Sequence, residues 1–163
     1  MSIPNILMTR VDERLIHGQG QLWIKSLGCN TVIVANDAVS KDNIQQTLMK
    51  TVVSSSVAMR FFSIEKVIEV INKANPAQNI FIVVKDLQDA FRLVKGGVPI
   101  KELNIGNIHK APGKEQLSRF IYLGQEDKEI IKELHNNYGV KFNTKTTPNG
   151  NDGSVEINIL ENI

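Results

Sequence analysis

The chain has 163 residues, of which 42% are hydrophobic and 22% are charged, and its formal net charge is +2. This composition is typical of a soluble globular protein and argues against a disordered chain or a coiled coil. The small net charge argues against a nucleic-acid-binding surface. No apolar run approaches the roughly 20 residues of a membrane-spanning helix. A single cysteine, Cys29, excludes an internal disulfide. We therefore expect one cytoplasmic domain over residues 1–163.

Short runs rich in Ile and Val alternate with segments of helical period along the chain. Their near-continuous hydrophobicity is typical of strands that are buried on both faces of a sheet. Because single helices connect the strands, the strands must be mostly parallel. The pattern predicts an α/β fold with an open, twisted, mostly parallel sheet of about seven strands and helices on both faces. The seven runs are Asn5–Val11, Thr31–Ala35, Ala58–Phe62, Ile80–Val84, Glu102–Ile105, Phe120–Leu123 and Val140–Asn143.

Four of the predicted helices show an apolar stripe at helical spacing. The first of these is expected to bury Ile44, Leu48 and Val52 against the sheet. The turn-rich tail of residues 146–163 includes Val155–Leu160, a candidate edge strand. The four helical segments are Lys41–Val53, Ile64–Ala74, Leu87–Lys95 and Lys128–Tyr138.

Start and stop signals accompany these helices. Ser40, Ser63 and Asp86 are predicted N-caps, because a side-chain oxygen there can accept hydrogen bonds from the first free amides. Gly96 and Gly139 follow the last periodic residue of a helix. Both are predicted to adopt the left-handed conformation that favours glycine at a helix C-terminus.

Polar side chains are concentrated directly after the first predicted strand, at Asp12, Arg14 and His17. Sheets of this kind bind ligands beyond the carboxyl ends of their strands. An unperturbed imidazole has a pKa of about 6.5, so His17 can act as a nucleophile near neutral pH. Asp12 can hold one ring nitrogen and fix the tautomer, and Arg14 can bind phosphoryl oxygens. A surface ion pair between Asp12 and Arg14 beside a space-filling His17 is an equally good interpretation of these residues alone.

The residues after His17 begin a helix. The backbone amides of Gly18, Gln19 and Gly20 are candidates for binding the phosphoryl group, since a helix N-terminus favours anions. Two further residues, His109 and Asp37, follow other strands and are candidate accessory residues. Each also has a simpler interpretation, as a loop histidine and a turn former. The histidines lack the spacing of metal ligands, and we expect neither a metal nor a cofactor.

The stretch RVDERLIHGQ resembles the phosphorylation-site loop of the IIB components of the mannose family of the bacterial sugar phosphotransferase system. Three later stretches resemble that family in the same order, namely Val34–Met49, Leu93–His109 and Ala111–Leu117. The sequence NIGNIH within the second is similar to the N-acetylgalactosamine or galactosamine branch. Gly20 departs from the family pattern, which has a β-branched residue there, and its lack of a side chain should loosen the first turn of the helix.

The resemblance implies a phosphohistidine carrier. A phosphorylated IIA protein or domain would transfer its phosphoryl group to His17, on Nδ1, and His17 would deliver it to a sugar translocated by membrane IIC and IID components. The implied location is the cytoplasm, with peripheral association to the permease. An exposed apolar rim of Leu15, Ile16 and Ile108 is expected for partner contact. Self-association stays open, and the residues cannot identify the sugar.

Two other classes of protein are compatible with the fold class. A flavodoxin-like module that binds a nucleotide or metabolite is the first, although no G-x-G-x-x-G sequence follows the first strand. An aspartyl-phosphate receiver that uses Asp37 or Asp12 is the second.

Overall fold

A computed structural model describes residues 3–147 and 156–163, and of residues 19 and 20 it describes the backbone alone. Short 3-10 helices lie at Val39–Lys41, Ile71–Lys73 and Ile159–Asn162. The longer elements are β1 (Asn5–Asp12), α1 (Gly18–Leu27), β2 (Thr31–Ala35), α2 (Asn43–Thr51), β3 (Ala58–Phe62), α3 (Ile64–Val70), β4 (Asn79–Val84), α4 (Leu87–Lys95), β5 (Glu102–Asn107), β6 (Glu115–Ser118), β7 (Ile121–Leu123), α5 (Gln125–Tyr138) and β8 (Lys141–Asn143).

The main sheet is parallel throughout. Within the described residues it contains six strands in the order β3-β2-β4-β1-β5-β8. β1 is an interior strand between β4 and β5, so its carboxyl end opens in the middle of the edge where α/β sheets bind ligands. The predicted α/β fold class and the mostly parallel sheet are confirmed.

Apolar side chains fill both faces of the sheet. In β2, Val32 and Val34 pack with residues of α1 and α2, whereas Ile33 and Ala35 pack with residues of α3, α4 and α5. Successive side chains of a strand point to opposite faces, so a strand that is covered on both faces needs apolar residues at every position. This explains why the runs read as continuous hydrophobicity, and it confirms helices on both faces.

Two predictions about strands are wrong. The run Phe120–Leu123 does not join the main sheet, because its residues Ile121–Leu123 form β7, which pairs antiparallel with β6. No apolar run marks β6, whose residues are exposed or half-buried. At the tail, the Val155–Leu160 edge strand is also absent from the described residues. There Ile159–Asn162 form a 3-10 helix, while Val155 and the rest of residues 148–155 lie outside the described part of the chain.

The N-caps follow the sequence signals at two of three helices. Ser63 accepts a hydrogen bond from the Lys66 amide, and Asp86 accepts one from the Asp89 amide, as predicted. Ser40 is not a cap. Its hydroxyl donates to the Asp37 carbonyl oxygen. The cap lies two residues later, at Asp42, whose carboxylate accepts from two amides at the start of α2. Both side chains carry suitable oxygens, so spacing alone could not choose between them.

The C-termini and one helix face bring two more corrections. Gly139 has the predicted left-handed conformation, with φ of 68°. Gly96 has φ of −77°, and the left-handed residue after α4 is Gly97, with φ of 99°. On α2, Ile44 and Leu48 are exposed instead of buried.

Candidate functional site

Asp12 is the last residue of β1 and lies at the centre of the predicted site. Its side chain is 1% exposed, and both of its carboxylate oxygens accept hydrogen bonds from the loop that follows. The Arg14 amide donates to Oδ1 at 3.0 Å, and the Leu15 amide donates to the Asp12 carbonyl oxygen at 2.9 Å. These bonds fold the chain back on itself directly after the strand.

Leu15 gives this loop its shape. It has φ of 57°, a conformation that is uncommon for a residue other than glycine. Leu15 and Ile16 are both buried against residues of the core on the α1 side of the sheet, and Ile108 is buried too. The predicted exposed apolar rim is therefore wrong. These side chains anchor the loop to the core, which compensates for the strained backbone.

His17 is held by Asp12 across the loop. Its Nε2 lies 2.9 Å from Asp12 Oδ2, and its side chain is 22% exposed. An ionised carboxylate can only accept hydrogen bonds, so Nε2 is the ring nitrogen that carries the proton. In the neutral ring, Nδ1 then carries the lone pair. The structure thus brings Asp12 and His17 together, with part of the imidazole open to solvent.

The charge of Asp12 is maintained by its neighbours. Burial alone would raise the pKa of this carboxyl group. Hydrogen bonds from the His17 ring and the Arg14 amide, together with the positive charge of Arg10, outweigh burial and lower the pKa below its ordinary value. Asp12 is consequently an anion at neutral pH, as the orientation of His17 requires.

Arg14 lies on the solvent side of the same carboxylate. Its Nε is 3.4 Å from Asp12 Oδ1, and its side chain is 40% exposed. Arg14 and His17 therefore contact different oxygens of one carboxylate. An exposed guanidinium in this place can reach an anion that approaches His17 from solvent.

Helix α1 begins at Gly18, directly after His17. A side chain at Gly18 would meet nothing within 4 Å, so the space around this first residue is open. The backbone of Gln19 and Gly20 belongs to the first turn of α1. The role of these three residues in binding a phosphoryl group stays a prediction.

The two accessory candidates have different surroundings. The ring of His109 lies next to the loop, with Nδ1 2.9 Å from Glu13 Oε2. Asp37 instead accepts a hydrogen bond from the Ile64 amide at the start of α3 and pairs with Arg92 on α4 at 2.9 Å. These two partners lower the pKa of Asp37. The contacts of Asp37 thus belong to α3 and α4, and a role for it at His17 stays a prediction.

Buried polar residues behind Asp12 were missed by the sequence analysis. Arg10 donates to Asp12 Oδ2 at 3.3 Å and to Asn104 Oδ1 at 2.5 Å. Asn104 in turn donates to the Asn143 side chain at 2.5 Å. A signal for two of them was present, since Arg10 and Asn104 are polar residues inside runs that are predicted to be buried strands.

Comparison with known proteins identifies the family. The family model described as "PTS system sorbose subfamily IIB component" matches residues 6–162 of this chain.

The chain belongs to this family.

Curated IIB components are similar over most of their length. The N-acetylgalactosamine-specific phosphotransferase enzyme IIB component 2 of Escherichia coli is 44% identical over 133 residues, which are 81% of this chain and 85% of the relative. The sorbose-specific EIIB component of Lacticaseibacillus casei is 35% identical over 150 residues, which are 88% of this chain and 90% of the relative. The predicted resemblance to IIB components, and to their N-acetylgalactosamine branch, is confirmed.

Solved IIB structures share the fold. The crystal structure of a PTS-dependent N-acetyl-galactosamine-IIB component (agaV) from Streptococcus pyogenes has 67% sequence identity and a TM-score of 0.95, and the match covers 100% of both chains. The IIB domain of the sorbose permease from Klebsiella pneumoniae has 30% identity and a TM-score of 0.83, over 96% of this chain and 94% of that one.

No helix among the described residues has the length and hydropathy needed to cross a membrane. Within the same residues, no group of three or more His, Cys, Asp or Glu side chains could hold a metal ion.

Proposed function

We propose that this IIB component is a phosphohistidine carrier that acts through His17. It accepts a phosphoryl group from a phosphorylated IIA protein or domain and transfers the group to a sugar during uptake. The observation that carries the proposal is the 2.9 Å contact between His17 Nε2 and Asp12 Oδ2 on a ring that is 22% exposed. A buried carboxylate orients a reactive nitrogen that solvent and a partner can reach.

Nδ1 is the nucleophile in this proposal. Asp12 holds the proton on Nε2, so the Nδ1 lone pair attacks the phosphorus while the bond from phosphorus to the donor's histidine breaks. The positive charge that develops on the ring is stabilised by the Asp12 carboxylate, as in other carboxylate–histidine pairs. In the second transfer, a sugar hydroxyl oxygen bonds to phosphorus, the P–Nδ1 electron pair returns to the ring, and the hydroxyl proton leaves to solvent.

Arg14 and the start of α1 bind the phosphoryl oxygens. Phosphoryl transfer depends mainly on positioning and on neutralising charge. Arg14 contributes a guanidinium that can bind two oxygens at once, and the amides of Gly18, Gln19 and Gly20 contribute the positive end of a helix. His109 and Asp37 are proposed as accessory residues, and the Glu13 contact of His109 supports only the former.

The names of its relatives support an amino sugar as the substrate. Two of them, from Escherichia coli, are named N-acetylgalactosamine-specific IIB components. We therefore propose N-acetylgalactosamine as the sugar, membrane IIC and IID components as partners, and a cytoplasmic location at the permease. The absence of a membrane-spanning helix from the described residues is compatible with this arrangement.

The test is phosphorylation by a reconstituted chain of donors. The protein is incubated with phosphoenolpyruvate, the two general phosphotransfer proteins and the cognate IIA, and intact mass is measured. We expect one added phosphoryl group that is stable in alkali and lost in acid. His17→Ala should take up none, whereas His135→Ala, on α5 with its ring Nδ1 3.2 Å from the Val140 carbonyl oxygen, should match the wild type. Equal labelling of the His17→Ala protein would refute the proposal.

A further inference from the structure

Arg10 lies beneath the carboxylate that orients His17. We propose that Arg10 is a positioning residue that balances the charge of Asp12 and thereby keeps the His17 ring neutral and ready to accept a phosphoryl group. This inference rests on the function proposed above. It extends the site by one layer into the sheet, to a residue that never touches the phosphoryl group.

The first observation is the burial of the Arg10 guanidinium. Its side chain is 3% exposed, and it lies two residues before Asp12 on β1, so both side chains point to the same face of the sheet. Nη2 contacts Asp12 Oδ2 at 3.3 Å, while Nη1 donates to Asn104 Oδ1 at 2.5 Å and reaches the Lys145 carbonyl oxygen at 3.4 Å. A buried cation is tolerated only when it is paired in this way.

The second observation is a site shaped for the guanidinium. Its central carbon lies over the Trp23 ring, 5.1 Å from the ring centroid, and the Trp23 indole N–H donates to the Thr146 carbonyl oxygen at 3.1 Å. Gly106 also lies against the guanidinium, because a Cβ added to this glycine would clash with the Arg10 central carbon. Gly106 occupies a register shift between β1 and β5, where Val11 pairs with Ile105 and Asp12 pairs with Asn107. The absent side chain makes room for Arg10.

The third observation is that Asp12 Oδ2 is shared. It accepts from Arg10 Nη2 and from His17 Nε2, at 3.3 and 2.9 Å. Without Arg10, only Arg14 on the solvent side would offset the buried carboxylate, and its stronger negative charge at His17 would favour the protonated imidazolium. A protonated ring has no lone pair on Nδ1 and cannot attack phosphorus. With Arg10 in place, the carboxylate still holds the Nε2 proton, but its attraction for a second proton is reduced.

Other charges face the same loop and are kept constant in the test. Arg14 contacts Asp12 Oδ1 from the solvent side. The Glu13 carboxylate pairs with His109 beside the loop. The variants below change neither of these contacts.

The experiment compares Arg10→Met, Arg10→Lys and Arg60→Met. Arg60 is an exposed residue of β3 whose Nη1 donates to the Met59 carbonyl oxygen at 3.2 Å, and it serves as the matched control. Two quantities are measured from pH 5 to pH 9, namely the rate of phosphorylation by the cognate IIA and, by nitrogen-15 NMR of the unphosphorylated protein, the protonated fraction of the His17 ring. We expect Arg10→Met to move the acid limb of the rate profile and the midpoint of the ring titration to higher pH by about one unit. Arg10→Lys keeps the charge and should move both by less, and Arg60→Met should match the wild type.

Gly106→Ala serves as a second variant in case Arg10→Met does not fold. The added methyl group displaces the guanidinium while its charge stays in the chain, and the acid limb should move in the same direction. Gly124→Ala, where the nearest atom to the new Cβ is at 3.5 Å, is its control. Folded Arg10→Met or Gly106→Ala proteins with unchanged profiles would overturn the inference, even if their rates were lower, because Arg10 would then be a packing residue.

The NMR measurement separates this inference from the proposed function. It needs no IIA protein and no phosphoryl donor. If wild-type protein is not phosphorylated but the ring titration moves in Arg10→Met, the function fails and the inference about the His17 ring stands. If His17 is phosphorylated and the titration does not move, the opposite holds.

Discussion

One buried carboxylate organises the residues of the candidate site. Asp12 accepts hydrogen bonds from Arg10, Arg14 and His17, which come from the strand before it and the loop after it. Arg10 and Asp12 are both almost fully buried, so each charge is balanced by the other and not by solvent. Arg14 and His17 are the partners that reach solvent, and the proposed reaction takes place on their side.

Replacing this carboxylate by an amide tests both of its roles. We expect Asp12→Asn to slow phosphorylation of His17 by roughly 10–100-fold, because the ring loses its charged orienting partner. We also expect a loss of about 3–5 kcal/mol in the free energy of unfolding, because the Arg10 guanidinium is left buried without its counter-charge. Rates are measured with the cognate IIA, and stability is measured by urea denaturation.

The stability difference should depend on pH. Since the folded-state pKa of Asp12 is lowered, its contribution to stability is present above the ordinary carboxyl pKa of about 4 and is lost as pH falls through the lower folded value. The difference in the free energy of unfolding between wild type and Asp12→Asn should therefore become smaller at acid pH. Asp42→Asn is the control. Asparagine caps a helix about as well as aspartate, so this variant should have nearly the same free energy of unfolding as the wild type at neutral pH. An equal gap at pH 7 and pH 3 would contradict the assignment.

Sequence spacing predicts the residues of the loop but not those behind it. Asp12, Arg14 and His17 lie within six residues, so one turn brings them together. Arg10 meets Asn104 across 94 positions of the chain, and only the pairing of β1 with β5 creates that contact. No local pattern encodes it.

At the scale of elements, the helix caps show what a local signal can decide. Ser63 accepts a hydrogen bond from the Lys66 amide, whereas the Ser40 hydroxyl donates to a carbonyl oxygen and caps nothing. A cap depends on where the helix begins, which is set by packing as well as by the residue type.

This difference gives a paired prediction for two serines. We expect Ser63→Ala to lower the free energy of unfolding by about 1 kcal/mol, because the first turn of α3 loses an acceptor. Ser40→Ala should change it by less than about 0.5 kcal/mol. Urea denaturation of the two proteins is the measurement. A larger loss at Ser40 than at Ser63 would show that the caps are assigned to the wrong residues.

The exposed face of α2 illustrates the limit of helical periodicity. Ile44 and Leu48 are spaced as core residues, yet they are 75% and 57% exposed, and the buried residue of this helix is Met49. Periodicity identifies a stripe but not the rotation of the helix on the sheet. That rotation depends on the entry from Asp42 and on the residues of α1 and β2 that share this core.

At the scale of the whole molecule, the order of strands decides which parts are most protected. β4 lies between β2 and β1 and is buried from its second residue to its last. β3 is an outer strand with half-buried side chains, and β8 is an outer strand of three residues. Opening an outer strand breaks fewer contacts than opening an interior one.

Amide hydrogen exchange should follow this order. We expect the slowest exchange in β4 and β1 and faster exchange in β3, β8 and the β6–β7 pair, since local opening at the edge costs less free energy than global unfolding. Exchange measured by mass spectrometry or NMR on the intact protein gives the ranking. Protection in β8 equal to that in β4 would contradict the observed strand order.

The sequence predicts the class of this fold better than its arrangement. Continuous apolar runs joined by single helices already require a parallel sheet with two covered faces. The order of the strands depends on pairings between distant residues, and the β6–β7 pair escapes detection because β6 is polar and partly exposed. Turn chemistry could not identify this pair, since the residues between its strands, Arg119 and Phe120, are not those typical of hairpin turns.

The two buried side chains of the loop between Asp12 and Gly18 have a consequence for its length. Leu15 and Ile16 are fixed in the core, and Asp12 is fixed in the sheet. The residues between these fixed points therefore form a spacer of set length. A single insertion or deletion in it would turn the imidazole away from the Asp12 carboxylate. A substitution within the loop leaves this spacing unchanged, whereas a change in the number of its residues does not.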